Sequence, residues 1–225
     1  MSGPDLQVTP AFASPIISTD MPNADELNRR LRELFLARES EGDRYRKKQQ
    51  TPTLQVNIFE SEFDLFQWPD EPVRRLHEFC SQMLSYVVLQ LNEYTPAEVG
   101  NLKVFWDCWF HITRSGGYVS AHTHPMASWS GVYCVSPGDT TSTRDNGVLR
   151  FLDARPQGNM YLDVGNARMR RPYGSGSVNY KLKSGQLLLF PSYLVHETSP
   201  YVGKDERITV AFNCSFHDLA ATPKR

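Results

Sequence analysis

The stretch GGYVSAHTHPMASWSGVYCV, residues 116–135, holds two histidines one residue apart, His122 and His124, between a glycine pair and a strand-like run. Residues i and i+2 of a β-strand point to the same face, so both imidazoles are expected to reach one object. A third histidine, His196, follows the apolar run GQLLLFPSYLV at residues 185–195. If the strands that carry them are neighbours in a barrel, the three imidazoles can meet at one metal ion. Imidazole suits iron, zinc, copper and nickel, so the ligand type alone does not select the metal.

The region from about residue 101 onward has the pattern of a β-domain. Short runs of β-branched and aromatic residues alternate with Gly, Pro, Asn and Asp, which is typical of an antiparallel sandwich or barrel with about seven strands. Long irregular segments at residues 137–147 and 154–176 interrupt the runs. The second segment is either a solvated loop or a lid over an active site.

The N-terminal part reads as helical. Apolar residues at helical spacing predict one amphipathic helix over residues 23–40, with Asn23 as its N-cap, and a second one after Pro69 that ends near Leu91. Both are expected to pack on the β-region, and His77 on the second helix is expected at the surface. The predicted organisation is a helical and strand region at residues 1–100, packed on a catalytic core at 101–225 in one compact unit.

Composition limits the partners. The 225 residues include 24 Lys+Arg and 25 Asp+Glu, so no overall field favours nucleic acid or an anionic membrane, and a small-molecule substrate is expected. The sequence leaves oligomerisation open. The longest apolar runs are too short to span a bilayer, and the start lacks the pattern of a signal peptide. Four widely spaced cysteines without a C-x-x-C motif predict reduced, buried thiols and a cytoplasmic protein.

A cation is predicted close to the three histidines. Arg207 lies eleven residues after His196, and Thr209 lies two residues further, on the same strand face. A guanidinium matches a carboxylate with two parallel hydrogen bonds, and an inward-facing arginine is costly without an anion. The pattern therefore favours a dicarboxylate that chelates the metal at one end and pairs with Arg207 at the other.

At this point the motifs resemble a known family. HTHP at 122–125, SGVY at 130–133, GQLLLFPSYLVH at 185–196 and RITVAFN at 207–213 are similar to iron(II)/2-oxoglutarate-dependent oxygenases. They look closest to a bacterial and phage group with an H-x-H-P motif, and FASPI at residues 12–16 resembles the start of that group. The resemblance covers roughly residues 101–217.

The resemblance implies a mainly β protein with a double-stranded β-helix core, the cupin-like jelly roll. It implies Fe(II), 2-oxoglutarate and O2, with His122 as the first iron ligand and His196 as the distal one. Arg207 and Thr209 would hold the far carboxylate of 2-oxoglutarate, and Tyr133 is either a further partner of that carboxylate or a packed core residue. The implied reaction oxidises, most simply hydroxylates, a small or amino-acid-like substrate and releases succinate and CO2.

One position departs from the superfamily pattern. His124 stands where the second ligand is usually Asp or Glu, and three neutral imidazoles would leave iron(II) about one positive charge unit richer than a site with one carboxylate. Either His124 is the third ligand, or a carboxylate such as Asp139 or Glu197 completes the site. The spacing favours His124.

Two other interpretations compete with the oxygenase. A three-histidine cupin dioxygenase or isomerase without 2-oxoglutarate would fit the glycine and histidine spacing, but the expected cupin glutamate falls on Ser128 or Trp129, and such an enzyme needs no Arg207. A binding module without chemistry predicts a damaged site, whereas every required position here is filled. Alternation along residues 104–112 places Phe105, Asp107, Trp109 and His111 on one face and Trp106, Cys108 and Phe110 on the other. One of these faces is expected to line the pocket.

Overall fold

The computed structural model describes residues 5–49, 52–139, 145–155 and 160–219. Three α-helices and nine β-strands account for the regular structure, together with 3-10 turns at Gly42–Arg44 and Leu65–Gln67. The helices are α1 (Ala24–Ser40), α2 (Glu71–Leu91) and α3 (Pro96–Gly100). The strands are β1 (Ile17–Asp20), β2 (Gln55–Glu60), β3 (Leu102–His122), β4 (Trp129–Ser136), β5 (Leu149–Phe151), β6 (Val178–Tyr180), β7 (Gln186–Pro191), β8 (His196–Thr198) and β9 (Arg207–Asp218).

The strands form a curled antiparallel sheet in the order β1-β7-β4-β9-β3-β8-β5-β6, with β2 paired to β3. The long strand β3 pairs with different strands along its length. Its first part pairs with β9 from Leu102 to Thr113, and its second part pairs with β8 at Val119 and His122. The sheet thus encloses a cavity, and the predicted jelly-roll class is confirmed.

The change of partner along β3 takes place at a glycine pair. Gly116 has a φ of 82°, a backbone conformation that L side chains rarely adopt. A Cβ on Gly117 would lie 2.5 Å from Thr113 Cγ2 and 2.8 Å from the carbonyl oxygen of Asn57, so only glycine fits. The sequence predicts two separate runs here, but the backbone continues through the bend because Gly116 and Tyr201 are hydrogen-bonded across it.

The helices pack against the outer face of the sheet. Leu31 and Phe35 of α1 join Leu76 of α2 and Phe110 of β3 in one apolar cluster, and the rings of Phe35 and Phe110 stack at 4.2 Å. Burial of such side chains contributes roughly 1.5 to 3 kcal/mol each. This cluster draws on residues from both sides of residue 100, while the predicted division into 1–100 and 101–225 stays a prediction.

Two details of the helices differ from the sequence-based expectation. Asn23 precedes α1, but its backbone is left-handed, with a φ of 52°, and its side chain makes no cap hydrogen bond. His77 is half-buried rather than exposed, because its ring stacks on Phe66 at 4.4 Å and meets Trp106 at 5.2 Å. Periodicity located the helix but could not show which aromatic residues of the sheet and of the preceding turn lie beside it.

All four cysteines are free and buried, which confirms the prediction of reduced structural thiols. In the part of the chain that the structure describes, no helix combines the length and the apolar character needed to cross a membrane.

Candidate active site

The curl of the sheet brings three histidines together. His122 ends β3, His124 follows two residues later, and His196 begins β8 directly opposite His122 in the register. The ring centroids are 4.3 to 5.0 Å apart, and one nitrogen from each ring lies within 4.8 Å of the others. These separations fit three imidazoles around one metal ion. The H-x-H pair and the distant histidine therefore meet as the sequence predicts.

Hydrogen bonds fix the tautomers of two of the rings. His122 Nδ1 donates to the carbonyl oxygen of Ser120 at 2.7 Å, and His196 Nδ1 donates to the carbonyl oxygen of Leu194 at 2.9 Å. A carbonyl only accepts, so the proton must lie on Nδ1 and the lone pair on Nε2. Nε2 of each ring is then ready to bind a metal, and the backbone orients it.

The environment also keeps the three imidazoles neutral. Burial, followed by the neighbouring imidazoles, lowers the pKa of His124 to about 3, and burial with His122 lowers that of His196 to about 4. Burial likewise lowers the pKa of His122. A histidine must be unprotonated to bind a metal. The donor set therefore fits a metal ion such as iron(II) at neutral pH without competition from protons.

A cavity of about 620 Å³ contains the three histidines. Its mouth carries exposed residues, among them Asp107, Pro52 and Thr123, whereas Arg207 and Thr209 at the inner end are 4% and 3% exposed. The volume lies within the range of small-molecule sites. Asp107, Trp109 and His111 line it, as the alternation along β3 predicts for one of its two faces. Phe105, predicted on the same face, is exposed and does not line the cavity.

Arg207 provides a buried positive charge at the closed end. Its guanidinium makes no hydrogen bond or ion pair with any described residue, and burial lowers its pKa. Gly147, with a φ of 60°, allows the close approach of this side chain, because a Cβ there would lie 3.2 Å from Arg207 Cδ. Arginine nevertheless remains protonated in proteins. Arg207 and Thr209 share one face of β9 and together present donors to the cavity.

Tyr133 does not line the cavity, and of its two predicted roles the structure supports the packed core residue rather than the partner of the cosubstrate. Its ring is fully buried in the cluster beneath α1, and its hydroxyl donates to Asn28 Oδ1 at 2.8 Å. The neighbouring residue Val132 faces the cavity instead. Tyr133 and Val132 alternate along β4, and the sequence could not show which of the two faces points inward. Burial raises the pKa of the Tyr133 hydroxyl, which therefore stays protonated.

We expect Tyr133→Phe to lower the free energy of unfolding by about 1 to 2 kcal/mol, because a buried hydrogen bond is lost and Asn28 Oδ1 keeps no partner. The affinity for 2-oxoglutarate should not change, since the side chain points away from the cavity. Urea denaturation and a 2-oxoglutarate titration measure the two effects. Weaker 2-oxoglutarate binding at unchanged stability would contradict this placement.

The alternative carboxylate ligands do not join the histidines. Among the described residues, the one group of three or more potential ligands that could hold a metal consists of His122, His124 and His196. Glu197 points elsewhere and accepts a hydrogen bond from Arg150 Nη1 at 2.8 Å. Asp139 is not part of the group either. The geometry thus favours His124 over both carboxylates.

The described parts of the two long loops do not line the cavity. Of the segment 154–176, residues 156–159 lie outside the described part, and no described residue of it is among those that line the cavity. Its described residues therefore give no support to a lid over the cavity. Of the segment 137–147, residues 140–144 lie outside the described part.

Sequence reasoning missed the N-terminal contribution to the cavity. Lys47, Gln55, Glu60 and Phe63 line the wall next to β3, although they precede the predicted core. Glu60 Oε1 accepts from Lys47 Nζ at 2.9 Å, and Glu60 Oε2 meets His111 Nε2 at 2.7 Å. Burial raises the pKa of the Glu60 carboxyl, but the bonds to His111, Lys47 and Gln55 outweigh it and lower the value to about 2. The alternating run QVNIFE at residues 55–60 could have indicated the strand that carries Gln55 and Glu60.

Comparison with known proteins finds one family model that is similar to this region of the chain. Residues 107–213 match the model of a family described as "Putative 2OG-Fe(II) oxygenase". The matched region contains the three histidines, Arg207 and Thr209. No curated protein sequence matches the chain.

Solved structures share the fold at low sequence identity. A prolyl-4-hydroxylase from Pseudomonas putida superposes with a TM-score of 0.56 at 17% identity, over 88% of this chain and 91% of its own. A Trichoplax adhaerens prolyl hydroxylase, solved with a hypoxia inducible factor peptide, has a TM-score of 0.56 at 14% identity, over 92% and 87%. The α-ketoglutarate-dependent epimerase SnoN from nogalamycin biosynthesis has a TM-score of 0.57 at 12% identity, over 95% and 87%.

Residues 107–213 are therefore similar to 2-oxoglutarate-dependent iron(II) oxygenases, and the solved structures show that the fold is shared. The family implies Fe(II) and 2-oxoglutarate, and the three histidines of the cavity fit the metal. The similarity to 2-oxoglutarate-dependent oxygenases favours neither the three-histidine cupin enzyme that does not use 2-oxoglutarate nor the binding module that performs no chemistry.

Proposed function

We propose that this protein is an iron(II)/2-oxoglutarate-dependent dioxygenase that hydroxylates a small or amino-acid-like molecule. His122, His124 and His196 would hold the metal, and Arg207 and Thr209 would bind the far carboxylate of 2-oxoglutarate. The observation that carries the proposal is the buried guanidinium of Arg207, which has no hydrogen-bond or ion-pair partner among the described residues and lies in the same cavity as the three histidines. A buried cation without a protein partner is costly, and a dicarboxylate ligand would neutralise it.

The residues around the metal position perform three tasks in this proposal. The three neutral imidazoles would hold the metal ion through one nitrogen each. Arg207 fixes the far end of the cosubstrate with two hydrogen bonds, and Thr209 adds a third donor. Iron(II) with 2-oxoglutarate and O2 would supply the oxidising power, with release of succinate and CO2.

The buried end of the cavity limits the access of water. Val132, Leu149 and Phe190 line its wall together with Arg207 and Thr209. In such an environment the charge interactions with the cosubstrate are stronger than in water. The more open part, toward Asp107 and Thr123, leaves room for a small substrate. The four free, buried cysteines support a cytoplasmic location, which we include in the proposal.

An anaerobic titration of the iron(II)-loaded protein with 2-oxoglutarate tests the proposal. A saturable visible charge-transfer band is expected when the keto acid chelates the metal. Succinate does not offer a keto group and serves as the matched control ligand. Bound iron without any band would favour a three-histidine enzyme that does not use 2-oxoglutarate.

Substitution of His124 distinguishes a ligand from a neighbour of the site. We expect His124→Asp to retain iron(II) and the 2-oxoglutarate band, because a carboxylate at this position also binds iron. His124→Ala should weaken iron binding by more than about tenfold, since one of the three protein ligands is lost. Iron content after desalting and the band intensity measure both. Equal iron affinity in the alanine variant and the native protein would show that a different residue binds the metal.

A further inference from the structure

A chain of polar groups connects the backbone of His124 to the cavity, and the function proposed above does not use it. The backbone N–H of His124 donates to the carbonyl oxygen of Ser192 at 3.0 Å. The hydroxyl of Ser192 lies 2.8 Å from that of Ser130, and Ser130 Oγ donates to Asn213 Oδ1 at 2.7 Å. Both serines are buried, whereas Asn213 is half-buried and lines the cavity. The chain therefore fixes the Asn213 amide relative to His124.

The amide nitrogen of Asn213 is the atom that remains for a ligand. The single hydroxyl proton of Ser130 is used in the bond to Oδ1. Asp107 lies directly opposite Asn213 in the register of β3 and β9 and also lines the cavity. Because a carboxylate only accepts hydrogen bonds, it favours the amide nitrogen over the amide oxygen on its side. Nδ2 makes no hydrogen bond with any described residue, so it can donate to a ligand.

The carboxylate of Asp107 provides an acceptor at the same level of the cavity. It makes no hydrogen bond or ion pair with any described residue. The Cβ atoms of directly opposite residues in an antiparallel pair are about 4.5 to 5.5 Å apart, so one small group can contact both side chains. The wall thus offers a negative charge beside a neutral N–H donor. An ammonium group next to a carboxylate oxygen complements both.

This level lies nearer the mouth than the position proposed for the cosubstrate. Along β9 the alternate residues line the cavity from the buried Arg207 through Ala211 to Asn213. Trp109 lies opposite Ala211 in the register, and its ring centroid is 6.0 Å from that of His124. The small side chain of Ala211 leaves space beside the indole. A ligand held at the level of Asn213 would therefore extend its other end past Trp109 toward the three histidines.

We propose that Asp107 and Asn213 anchor the substrate, and that the substrate is a zwitterionic α-amino acid. Its ammonium group would pair with Asp107, its carboxylate would accept from Asn213 Nδ2, and its side chain would lie along Trp109. Ser130 is a positioning residue, because it acts through the Asn213 amide. The inference deepens the proposed function and rests on it, since it names the substrate class for the same cavity.

Three matched probes test the two contacts in the full chain loaded with Zn(II) and 2-oxoglutarate. L-Leucine carries both groups, 4-methylpentanoate lacks the ammonium group, and 3-methylbutylamine lacks the carboxylate. The shift of the Trp109 indole N–H signal in NMR titrations gives each affinity, and loss of this signal in Trp109→Phe assigns it among the four tryptophans. We expect leucine to bind roughly three- to tenfold more tightly than either analogue. No shift with leucine, or equal affinity for leucine and either analogue, would overturn the proposal.

Variants assign each preference to one side chain. Asp107→Asn should lose the preference for leucine over 4-methylpentanoate, and Asn213→Leu should lose the preference over 3-methylbutylamine. Asp43→Asn, an exposed carboxylate outside the cavity, is the control that keeps both. A folded Asp107→Asn or Asn213→Leu protein with both native preferences would contradict the anchor. Asn213→Ala replaces Asn213→Leu if thermal unfolding shows that the larger side chain disturbs the fold.

The positioning role of Ser130 has its own result. Ser130→Ala should lower only the preference for leucine over 3-methylbutylamine, because the amide of Asn213 loses its orientation while Asp107 stays in place. A merely structural role would lower both preferences together. An unchanged pair of preferences in Ser130→Ala would exclude the positioning role.

A separate measurement distinguishes this inference from the proposed function. Absence of the 2-oxoglutarate band in the iron(II)-loaded native protein would refute the proposed function. The leucine titration is read on Trp109 of the protein and does not depend on that band. A band without any leucine preference would leave the proposed function in place and refute the amino-acid substrate.

Discussion

His196→Ala is expected to lose tight iron(II) binding, with a decrease in affinity of more than about 100-fold. The ligand lies directly opposite His122 across β3 and β8, and its Nε2 is made available by the bond from Nδ1 to Leu194. Loss of a residue that merely orients a ligand already costs about 10- to 100-fold in metal affinity or activity, so loss of the ligand itself should cost more. Anaerobic equilibrium dialysis against iron(II) gives the value directly.

The control for this experiment is His217→Ala. His217 is the exposed histidine near the end of β9, and its removal deletes an imidazole without touching the cavity. Thermal unfolding of both variants without metal shows whether His196→Ala still folds, because its buried ring leaves a space when removed. A folded His196→Ala protein with native iron affinity would exclude this residue from the metal site.

Arg207→Ala should weaken 2-oxoglutarate binding by about 3 kcal/mol or more, which corresponds to roughly 150-fold. Each hydrogen bond to a charged group contributes about 1.5 to 3 kcal/mol, and the guanidinium is expected to make two of them. Iron(II) affinity without 2-oxoglutarate should stay close to native, since Arg207 is not a ligand. The anaerobic band titration measures the first quantity and dialysis the second.

Arg207→Met provides a sharper test, because methionine fills part of the space without a charge. The unpaired guanidinium is buried at the closed end of the cavity, so its replacement should leave the free energy of unfolding of the ligand-free protein unchanged or raise it. The same variant should bind 2-oxoglutarate as poorly as Arg207→Ala. Arg114→Ala is the matched control, because Arg114 is exposed and pairs with Glu39. A marked loss of stability in Arg207→Met would indicate a structural partner of the guanidinium instead.

The sequence predicted the local relations of the site correctly. The spacing of two placed His122 beside His124 and Arg207 beside Thr209, and the alternation along β3 grouped Asp107 with Trp109 and His111. These relations follow from strand geometry alone. The fold class followed from the run lengths and from the resemblance.

Tyr133 and Glu60 show what the sequence could not predict. Alternation groups residues on faces but does not assign the inner face, and the side on which α1 packs decides it for Tyr133. Glu60 reaches His111 because β2 pairs with β3 over a separation of 51 residues. No local sequence pattern predicts that two strands so far apart in the chain will pair.

Because β3 continues through the bend at Gly116 and Gly117, one strand carries cavity-lining residues on both sides of the bend. The strand carries His111 and Trp109 before the bend and His122 after it, so backbone conformation sets the distance between this part of the cavity wall and the first of the three histidines. Substitution of the wall side chains would therefore change which molecules fit the cavity without moving the three histidines. A change in the glycine pair, by contrast, would alter which atom of a bound molecule lies within reach of the metal.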